Sequence, residues 1–319
     1  MDIEGRKKMT TIASLTDTIG AIPITLSPQA EVVAKKRYFL KNDSNEVVED
    51  APAMFRRVAD AIASVEKQYG KLDIDVSLTS NEFYTIMSNL DFVPNSPTLM
   101  NAGTKQGTLS ACFVLPLEDS MEGIMKAAHD TAMVQKFGGG TGFALSNLRP
   151  KGDRIKTTHG ISCGPIEVLK TLSRVSSMIT QGGKRDGANM AVMDIHHPDI
   201  LEFIDCKKVE GDIHNFNISV GVTDDFMKAV KAGTNYPLIN PRTKEIVEEL
   251  DARDVFSKIV YGAWRNGEPG MIFLDAVNRD NHVSSTYGQM IATNPCGEQP
   301  LLGNESCNLG SINVATFFT

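Results

Sequence analysis

The chain has 319 residues, 41% of them hydrophobic and 22% charged, with a formal net charge of -7 at pH 7. That is an ordinary globular balance, able to bury a sizeable core in one large or two ordinary domains, and it excludes a broad surface for long nucleic acid, so a phosphate ligand must be held by a local device such as a helix N-terminus or a small basic loop. No apolar run approaches the roughly 20 residues of a membrane helix, the charged start Met1-Asp2-Ile3-Glu4-Gly5-Arg6-Lys7-Lys8 leads into no hydrophobic leader, and five cysteines without a C-x-x-C pair fit neither a secreted disulfide framework nor structural zinc.

The chain therefore reads as cytoplasmic, with no membrane, no nucleic acid and no metal site, and any disulfide in it reads as transient and catalytic. Residues 1 to about 50 are polar and irregular, the pattern of a mobile or partner-docked arm, with one short strand expected at 37–40. Pro52 sits where a first helical turn tolerates it, and Met54, Phe55, Val58, Ile62 and Val65 recur at helical spacing, which predicts an amphipathic helix stopping near Gly70. Thr79-Ser80-Asn81-Glu82 has the capping-box pattern and predicts the opening of a second helix. From Phe92 the texture changes to short apolar strands alternating with helices and glycine-rich connections, as in an α/β domain. The boundary is drawn there: an N-terminal arm and helical region, 1–91, and a functional α/β domain, 92–319. Strands are predicted at 111–115, 190–195, 217–222, 271–274 and 311–314. Helices are predicted at 121–137, 165–180, 198–208, 224–232 and 253–265, the first stopping at Gly138 and the second at Gly182.

The chemistry concentrates near the end. Asn294-Pro295-Cys296-Gly297-Glu298 places a carboxamide, a thiol and a carboxylate in one Pro/Gly-bent turn, and Ser306-Cys307-Asn308-Leu309-Gly310 adds a second thiol. Flanked by Pro and Gly, Cys296 has no core-packing explanation, whereas Cys112, on the apolar run Ser110-Ala111-Cys112-Phe113-Val114, by itself reads as a small core residue. The run Gly138-Gly139-Gly140-Thr141-Gly142, with Arg149 and Lys151 after it, suits a phosphate and equally suits an ordinary helix C-cap, and it is not a P-loop. Gln181-Gly182-Gly183-Lys184-Arg185-Asp186-Gly187-Ala188-Asn189 reads as a flexible polar loop of the kind that carries function. Pro94-Asn95-Ser96-Pro97-Thr98-Leu99-Met100-Asn101-Ala102-Gly103, with its two prolines, reads as a rigid surface turn offering hydrogen bonds. His196-His197-Pro198-Asp199 reads as a polar lead into a helix begun by Pro198, since adjacent histidines on a strand end point apart.

Together, in this order and at these spacings, the 92–103 segment, Ser110-Ala111-Cys112, the two glycine-rich loops and Asn294-Pro295-Cys296-Gly297-Glu298-Gln299-Pro300-Leu301 resemble the catalytic (large) chain of ribonucleotide reductase, most nearly its adenosylcobalamin-dependent class. The resemblance spans about residues 37–319, and the Asn-Pro-Cys-Gly-Glu and Ser-Cys-Asn-Leu-Gly pair is its specific part. It implies a ten-stranded α/β barrel made of two five-stranded halves, with a finger loop carrying Cys296; this chain would hold the first half, preceded by a small helical N-terminal region. By the same resemblance Cys296 becomes a thiyl radical that takes the 3'-hydrogen of a ribonucleotide. Glu298 accepts the 3'-hydroxyl proton, Asn294 hydrogen-bonds the substrate hydroxyls, and Cys112 with Cys307 supplies two electrons as a redox-active disulfide. Ser96, Ala111, Cys112, Arg185, Asn294 and Glu298 are the implied substrate-binding residues, Ser96 on the phosphate, and the Gln181–Asn189 loop relays effector identity. Asp119, Ser120, Arg149 and Lys151 match the site of a deoxynucleotide effector. A homodimer and a thioredoxin-type reductant are implied as partners, and a metal-cofactor radical source stays open beside adenosylcobalamin.

The sequence stops at Thr319, where the resemblance would continue through the second half of the barrel. An open half-barrel exposes a strand edge and an apolar interior, so the expectation is a split or truncated enzyme completed by a second polypeptide. The rival expectation is a nucleotide-binding and assembly fragment, inactive without that polypeptide. A third is a thiyl-radical enzyme of the same barrel type acting on a non-nucleotide substrate.

Overall fold

The computed structural model describes residues 24–105, 107–156, 159–179, 187–209, 211 and 213–317. Among them the strands, in chain order, are β1 Phe92–Pro94, β2 Cys112–Val114, β3 Gly140–Ala144, β4 Asn189–Asp194, β5 Phe216–Val222, β6 Asn235–Ile239, β7 Ile246–Asp251, β8 Gly270–Phe273, β9 Ala292–Thr293, β10 Pro300–Leu301, β11 Ser306–Cys307 and β12 Gly310–Ile312. The described residues divide into two compact units, one holding 24–109 together with 309–317, the other lying within Ser110–Asn308.

The first unit is mainly helical. Its first helix, Pro28–Arg37, occupies part of the arm expected to be irregular and ends where a strand was expected at 37–40. The reason is local: the Ser27 hydroxyl accepts from the Ala30 N–H at 3.2 Å and Pro28 follows it, a cap and first-turn pair that starts a helix. Helix Ala51–Ala63 forms as its apolar spacing predicts, capped by the Asp50 carboxylate on the Ala53 N–H at 2.9 Å, and runs through a 3-10 turn to Gly70 at φ 76°. The next helix is Asp73–Ser88, so Thr79 and Ser80 lie inside it and do not begin it. Asp75 accepts the Leu72 N–H at 3.3 Å and starts the helix earlier, while the Ser80 hydroxyl is turned to Asp60 on the neighbouring helix. The 95–103 stretch is likewise no surface turn. The Asn95 side chain accepts from the Thr98 N–H at 2.8 Å and opens helix Ser96–Asn101, whose Pro97, Thr98 and Leu99 are buried. Arg57, ion-paired to Glu49 at 2.7 Å with both side chains nearly buried, donates to the carbonyls of Leu99 and Ala102 at the end of that helix. β1 pairs antiparallel with β12 in this unit.

The second unit is a six-stranded sheet in the order β11-β2-β3-β4-β5-β8, parallel from β2 to β8 with β11 antiparallel at one edge. Helices Met121–Lys136 and Pro165–Met178 connect β2 to β3 and β3 to β4. Helix Ile200–Asp205 lies between β4 and β5, and Asp224–Ala232, the β6–β7 hairpin and Ala252–Asn266 lie between β5 and β8. These helices cover one face of the sheet over a single apolar core in which Phe143, Ala191, Met193, Ile218 and Val220 from the strands meet Leu169, Leu172, Phe203, Phe226 and Ile259 from the helices. The α/β class and the helical N-terminal region expected from the sequence are both present.

Two differences from the expected elements matter for the site. Residues 138–142 were expected to be a loop or cap, yet Gly140–Ala144 is β3, a central strand with every residue buried. Thr141 and Phe143 face the helical side, where Phe143 packs in the core and Thr141 bonds Asn189, while Gly140, Gly142 and Ala144 present a face without bulk. Helix 198–208 is shorter than predicted, Ile200–Asp205, because the residues before it are held as a turn by the His197 N–H on the Asp194 carbonyl at 3.0 Å.

A buried polar cluster ties the helical layer to the strand ends. The Asn189 side-chain oxygen accepts from Gln135 Nε2 at 2.8 Å and Thr141 Oγ1 at 2.5 Å, and its Nδ2 donates to Ser176 Oγ at 3.0 Å and the Asn215 carbonyl at 3.1 Å. One carboxamide thereby spends all its hydrogen-bonding capacity joining two helices, β3 and the approach to β5.

Candidate active site

β9 and β10 pair antiparallel as a two-residue hairpin whose tip, 294–299, holds the Asn-Pro-Cys-Gly-Glu sequence. The hairpin lies on the sheet face opposite the helices, with Ala292 and Leu301 packed against Val114 and Ala144. The glycines of β3 make that approach possible. A Cβ on Gly142 would lie 1.8 Å from the Thr293 carbonyl oxygen, and one on Gly140 would lie 2.5 Å from Pro295 Cγ. Their function is close backbone approach, so the phosphate-cradle reading of Gly140 and Gly142 gives way. A cross-strand row continues the bed: Gly142 pairs with Met190 and Met190 with Asn217. Met190 Cε lies 3.5 Å from where a Gly297 Cβ would be, and Asn217 Nδ2 donates to the Pro295 carbonyl at 2.8 Å.

Asn294 is fully buried and organises the tip. Its N–H donates to the Gln299 carbonyl and its side-chain oxygen accepts the Gln299 N–H, both at 3.1 Å, while its carbonyl accepts the Gly297 N–H at 3.1 Å. Gly297 adopts φ 87°, a left-handed conformation that favours glycine at this bend. The remaining Asn294 group, Nδ2, points at Cys112 Sγ at 3.6 Å. Cys296 and Glu298 are exposed at the tip.

Cys112 on β2 and Cys307 on β11 are directly opposite in register, and none of the five cysteines is in a disulfide. Opposed antiparallel residues have Cα atoms about 4.5–5.5 Å apart, inside the range a disulfide can span. Burial pushes the Cys112 thiol up to about 11; the Asn294 hydrogen bond opposes this, and Cys307 and Glu298 add to it. Cys307 is raised as well, first by burial, with its hydrogen bond to Cys112 opposing and Glu298 and Cys296 adding. Both thiols are therefore protonated at neutral pH, suited to giving up hydrogen atoms or protons and poorly suited to thiolate attack.

The other predicted residues are distributed as follows. Ala111 has both backbone polar groups engaged, its N–H on the Cys307 carbonyl at 3.1 Å and its carbonyl accepting from Gly140 at 2.8 Å. Ser96 lies in the first unit, its hydroxyl 3.0 Å from that of Tyr38. Arg185 lies outside the described residues. Ser120 caps helix Met121–Lys136 through the Gly123 N–H at 3.0 Å. Beside it the Asp119 carboxylate is held by Arg149, whose Nε lies 2.8 Å away. Lys151 reaches Glu202 at 3.2 Å, and its N–H donates to Asp199 at 2.8 Å. His197 is buried with its Nε2–H on the Leu148 carbonyl at 2.9 Å, and His196 bonds Pro237 and Thr223. No group of three or more potential metal ligands occurs among the described residues, and no helix among them is long and apolar enough to cross a membrane. Sequence reasoning missed Gly140 and Gly142 as the finger's bed and Asn217 as its tether. For the glycines the signal was present, in the small residues alternating with Thr141 and Phe143.

A parallel α/β sheet thus carries a hairpin with a thiol and a carboxylate at its tip, beside two further thiols that face each other across β2 and β11. Residues 110–319 match the ribonucleotide reductase barrel domain and residues 24–107 the ribonucleotide reductase all-alpha domain. The chain belongs to the ribonucleotide reductase family. It is 43% identical to a vitamin B12-dependent ribonucleoside-diphosphate reductase of Thermoplasma acidophilum, over 92% of this chain and 45% of that protein. It is 44% identical to one of Mycobacterium tuberculosis, over 92% of this chain and 42% of that protein. The large subunit of a vaccinia virus ribonucleoside-diphosphate reductase is 31% identical over 89% of this chain and 39% of its own length. The chain spans less than half the length of these relatives.

Proposed function

We propose that these residues form the finger and reducing-thiol part of a catalytic unit that converts ribonucleotides to 2'-deoxyribonucleotides. The observation that supports the reading best is the register of Cys112 against Cys307 with Asn294 Nδ2 on Cys112, two thiols facing each other beside the hairpin that carries Cys296. In the proposed reaction the Cys296 thiyl radical takes the 3'-hydrogen and returns it at the end. Glu298 accepts the 3'-hydroxyl proton, the 2'-hydroxyl leaves as water, and Cys112 and Cys307 lose two hydrogen atoms in all as their disulfide closes. One ribonucleotide and two thiols thus become one deoxyribonucleotide, one disulfide and one water. The raised Cys112 and Cys307 thiols support their part, because a protonated thiol can protonate a departing hydroxyl.

The names of the two vitamin B12-dependent relatives support adenosylcobalamin as cofactor and a ribonucleoside diphosphate as substrate. When bound, that cofactor supplies a carbon-centred radical that can remove a hydrogen atom from a thiol. Of the three site thiols Cys296 fits that encounter, being exposed at the tip while Cys112 is buried and Cys307 half-buried. Ser96, Ala111 and Arg185 are proposed as further substrate contacts. A deoxynucleotide effector is proposed at Asp119, Ser120, Arg149 and Lys151, supported by the clustering of Asp119 and Arg149 at the capped start of helix Met121–Lys136. Homodimer formation through this helix and Pro165–Met178 is supported by Met121, Met125, Met133 and Met178, all exposed. A thioredoxin-type protein is proposed to reduce the disulfide. The test is Cys296→Ser in the complete catalytic unit, with a ribonucleoside diphosphate, adenosylcobalamin and a dithiol: no deoxynucleotide is expected. Product from the variant would refute the radical role, and nucleotide binding with no turnover by the unsubstituted protein would make the chain a binding module.

A further inference from the structure

Cys296 is useful only if its sulfur is held still, so the bonds that join its tip to the sheet matter. The hairpin strands β9 and β10 are two residues each, and the hydrogen bonds made by Asn294 to Gln299 and Gly297 are internal to the turn, so they shape it without fixing it to anything else. Gly140, Gly142 and Met190 meet the hairpin by contact, which limits how close it comes. Asn294 Nδ2 reaches across to Cys112, through a sulfur acceptor 3.6 Å away, a weak hydrogen bond. The bond from Asn217 Nδ2 to the Pro295 carbonyl, at 2.8 Å, is of ordinary strength and is made to the residue immediately before Cys296.

Asn217 is placed for this by its strand. Its neighbours Phe216 and Ile218 are buried in the helical core, so the alternation of β5 turns Asn217 to the hairpin face. It pairs with Met190, which pairs with Gly142, so tether and bed form one row across three strands. β5 is itself fixed at its start, where Asn215 is tied to Ser173 through bonds of 2.7 and 2.9 Å and to Asn189 at 3.1 Å.

We infer that Asn217 is a positioning residue for Cys296: its carboxamide N–H holds the Pro295 carbonyl and thereby sets where the Cys296 sulfur stands over the sheet. The inference rests on the proposed role of Cys296 for its kinetic consequence and on the geometry alone for its structural one. A hydrogen-bond donor is required at 217, so Asn217→Asp, isosteric but without the N–H, breaks the tether and sets a carboxylate against a carbonyl.

The experiment compares the unsubstituted full-length protein with Asn217→Asp and Asn217→Ala by hydrogen exchange of the peptide covering 292–301. Steady-state kinetics of the complete unit accompany it. Exchange in that peptide is expected to be roughly tenfold faster in both variants, the effect of losing a hydrogen bond of ordinary net strength, with exchange in helix Pro165–Met178 unchanged. kcat is expected to fall by at least about tenfold with KM within about twofold, because misplacing a reacting group acts on the chemical step. Should Asn217→Ala fail to fold, Asn217→Asp carries the comparison. Unchanged exchange at 292–301 overturns the inference whatever the kinetics; faster exchange with unchanged kcat overturns the positioning of Cys296 while leaving the tether. Absence of ribonucleotide reduction by the unsubstituted protein counts against the proposed function only, and the exchange result still decides the tether.

Discussion

Gly142→Ala isolates the fit between β3 and the finger. The added methyl would sit 1.8 Å from the Thr293 carbonyl oxygen, and ordinary van der Waals contact begins at 3.4 Å, so one backbone must retreat by about 1.6 Å. β3 is buried throughout and bonded on both sides by β2 and β4, whereas the hairpin strands are two residues each and pair with each other. The finger is what moves, carrying Cys296 with it. Overpacking of this kind costs about 1–3 kcal/mol in stability, and a displacement of the reacting group by an ångström or so costs about a hundredfold in rate. Urea unfolding of the variant should therefore show a loss of about 2 kcal/mol, and deoxynucleotide formation by the complete unit should fall about a hundredfold. Activity and stability both at the level of the unsubstituted protein would refute the claim that β3 is glycine-lined to seat the finger.

Two further outcomes follow from the buried groups. Asn189→Leu leaves the Gln135 and Thr141 donors buried without their acceptor, and a loss of about 3 kcal/mol or more is expected in urea unfolding; a loss below about 1 kcal/mol would mean the cluster is not holding the helices to the strand ends. Alkaline pH acts through Cys112, whose folded value of about 11 lies above the ordinary 9.0. The unfolded chain releases this proton first, so stability is undiminished below pH 9.0 and declines as the pH rises through 11, by about 2–3 kcal/mol in all. Cys112→Ala should flatten that part of the pH profile, and an unchanged profile in the variant would remove Cys112 as its cause.

Much of the fold could be read because its elements carry local signals. Helix Met121–Lys136 has its Ser120 cap and apolar face, Asp224–Ala232 runs from the Thr223 cap to Gly233, and β4 and β5 are apolar runs bounded by turns. The turn at 294–298 stood out because Cys296, flanked by Pro and Gly, has no core-packing explanation, and the thiol is indeed exposed at the tip. What the sequence did not show depends on partners distant in the chain. Gly140 and Gly142 look like a cap until Thr293 and Pro295 are placed over them, and Cys112 looks like a core residue until β11 sets Cys307 opposite it. Asn217 reads as one more strand residue, since its partner is the carbonyl of Pro295, 78 positions away. The helix at 28–37 was missed for a different reason: its cap, Ser27-Pro28, precedes a stretch without a continuous apolar face.

Three thiols divide the labour of the proposed reaction, and a single turnover without external reductant tests that division most directly. The complete unit would be mixed with a ribonucleoside diphosphate and adenosylcobalamin, quenched by alkylation, and mapped by peptide mass spectrometry alongside measurement of the deoxynucleotide formed. The predicted result is one Cys112–Cys307 disulfide for each deoxynucleotide, with Cys296 recovered as the alkylated thiol, and neither product nor disulfide in Cys296→Ser. A disulfide that includes Cys296, or product formed while Cys112 and Cys307 both remain reduced, would contradict it.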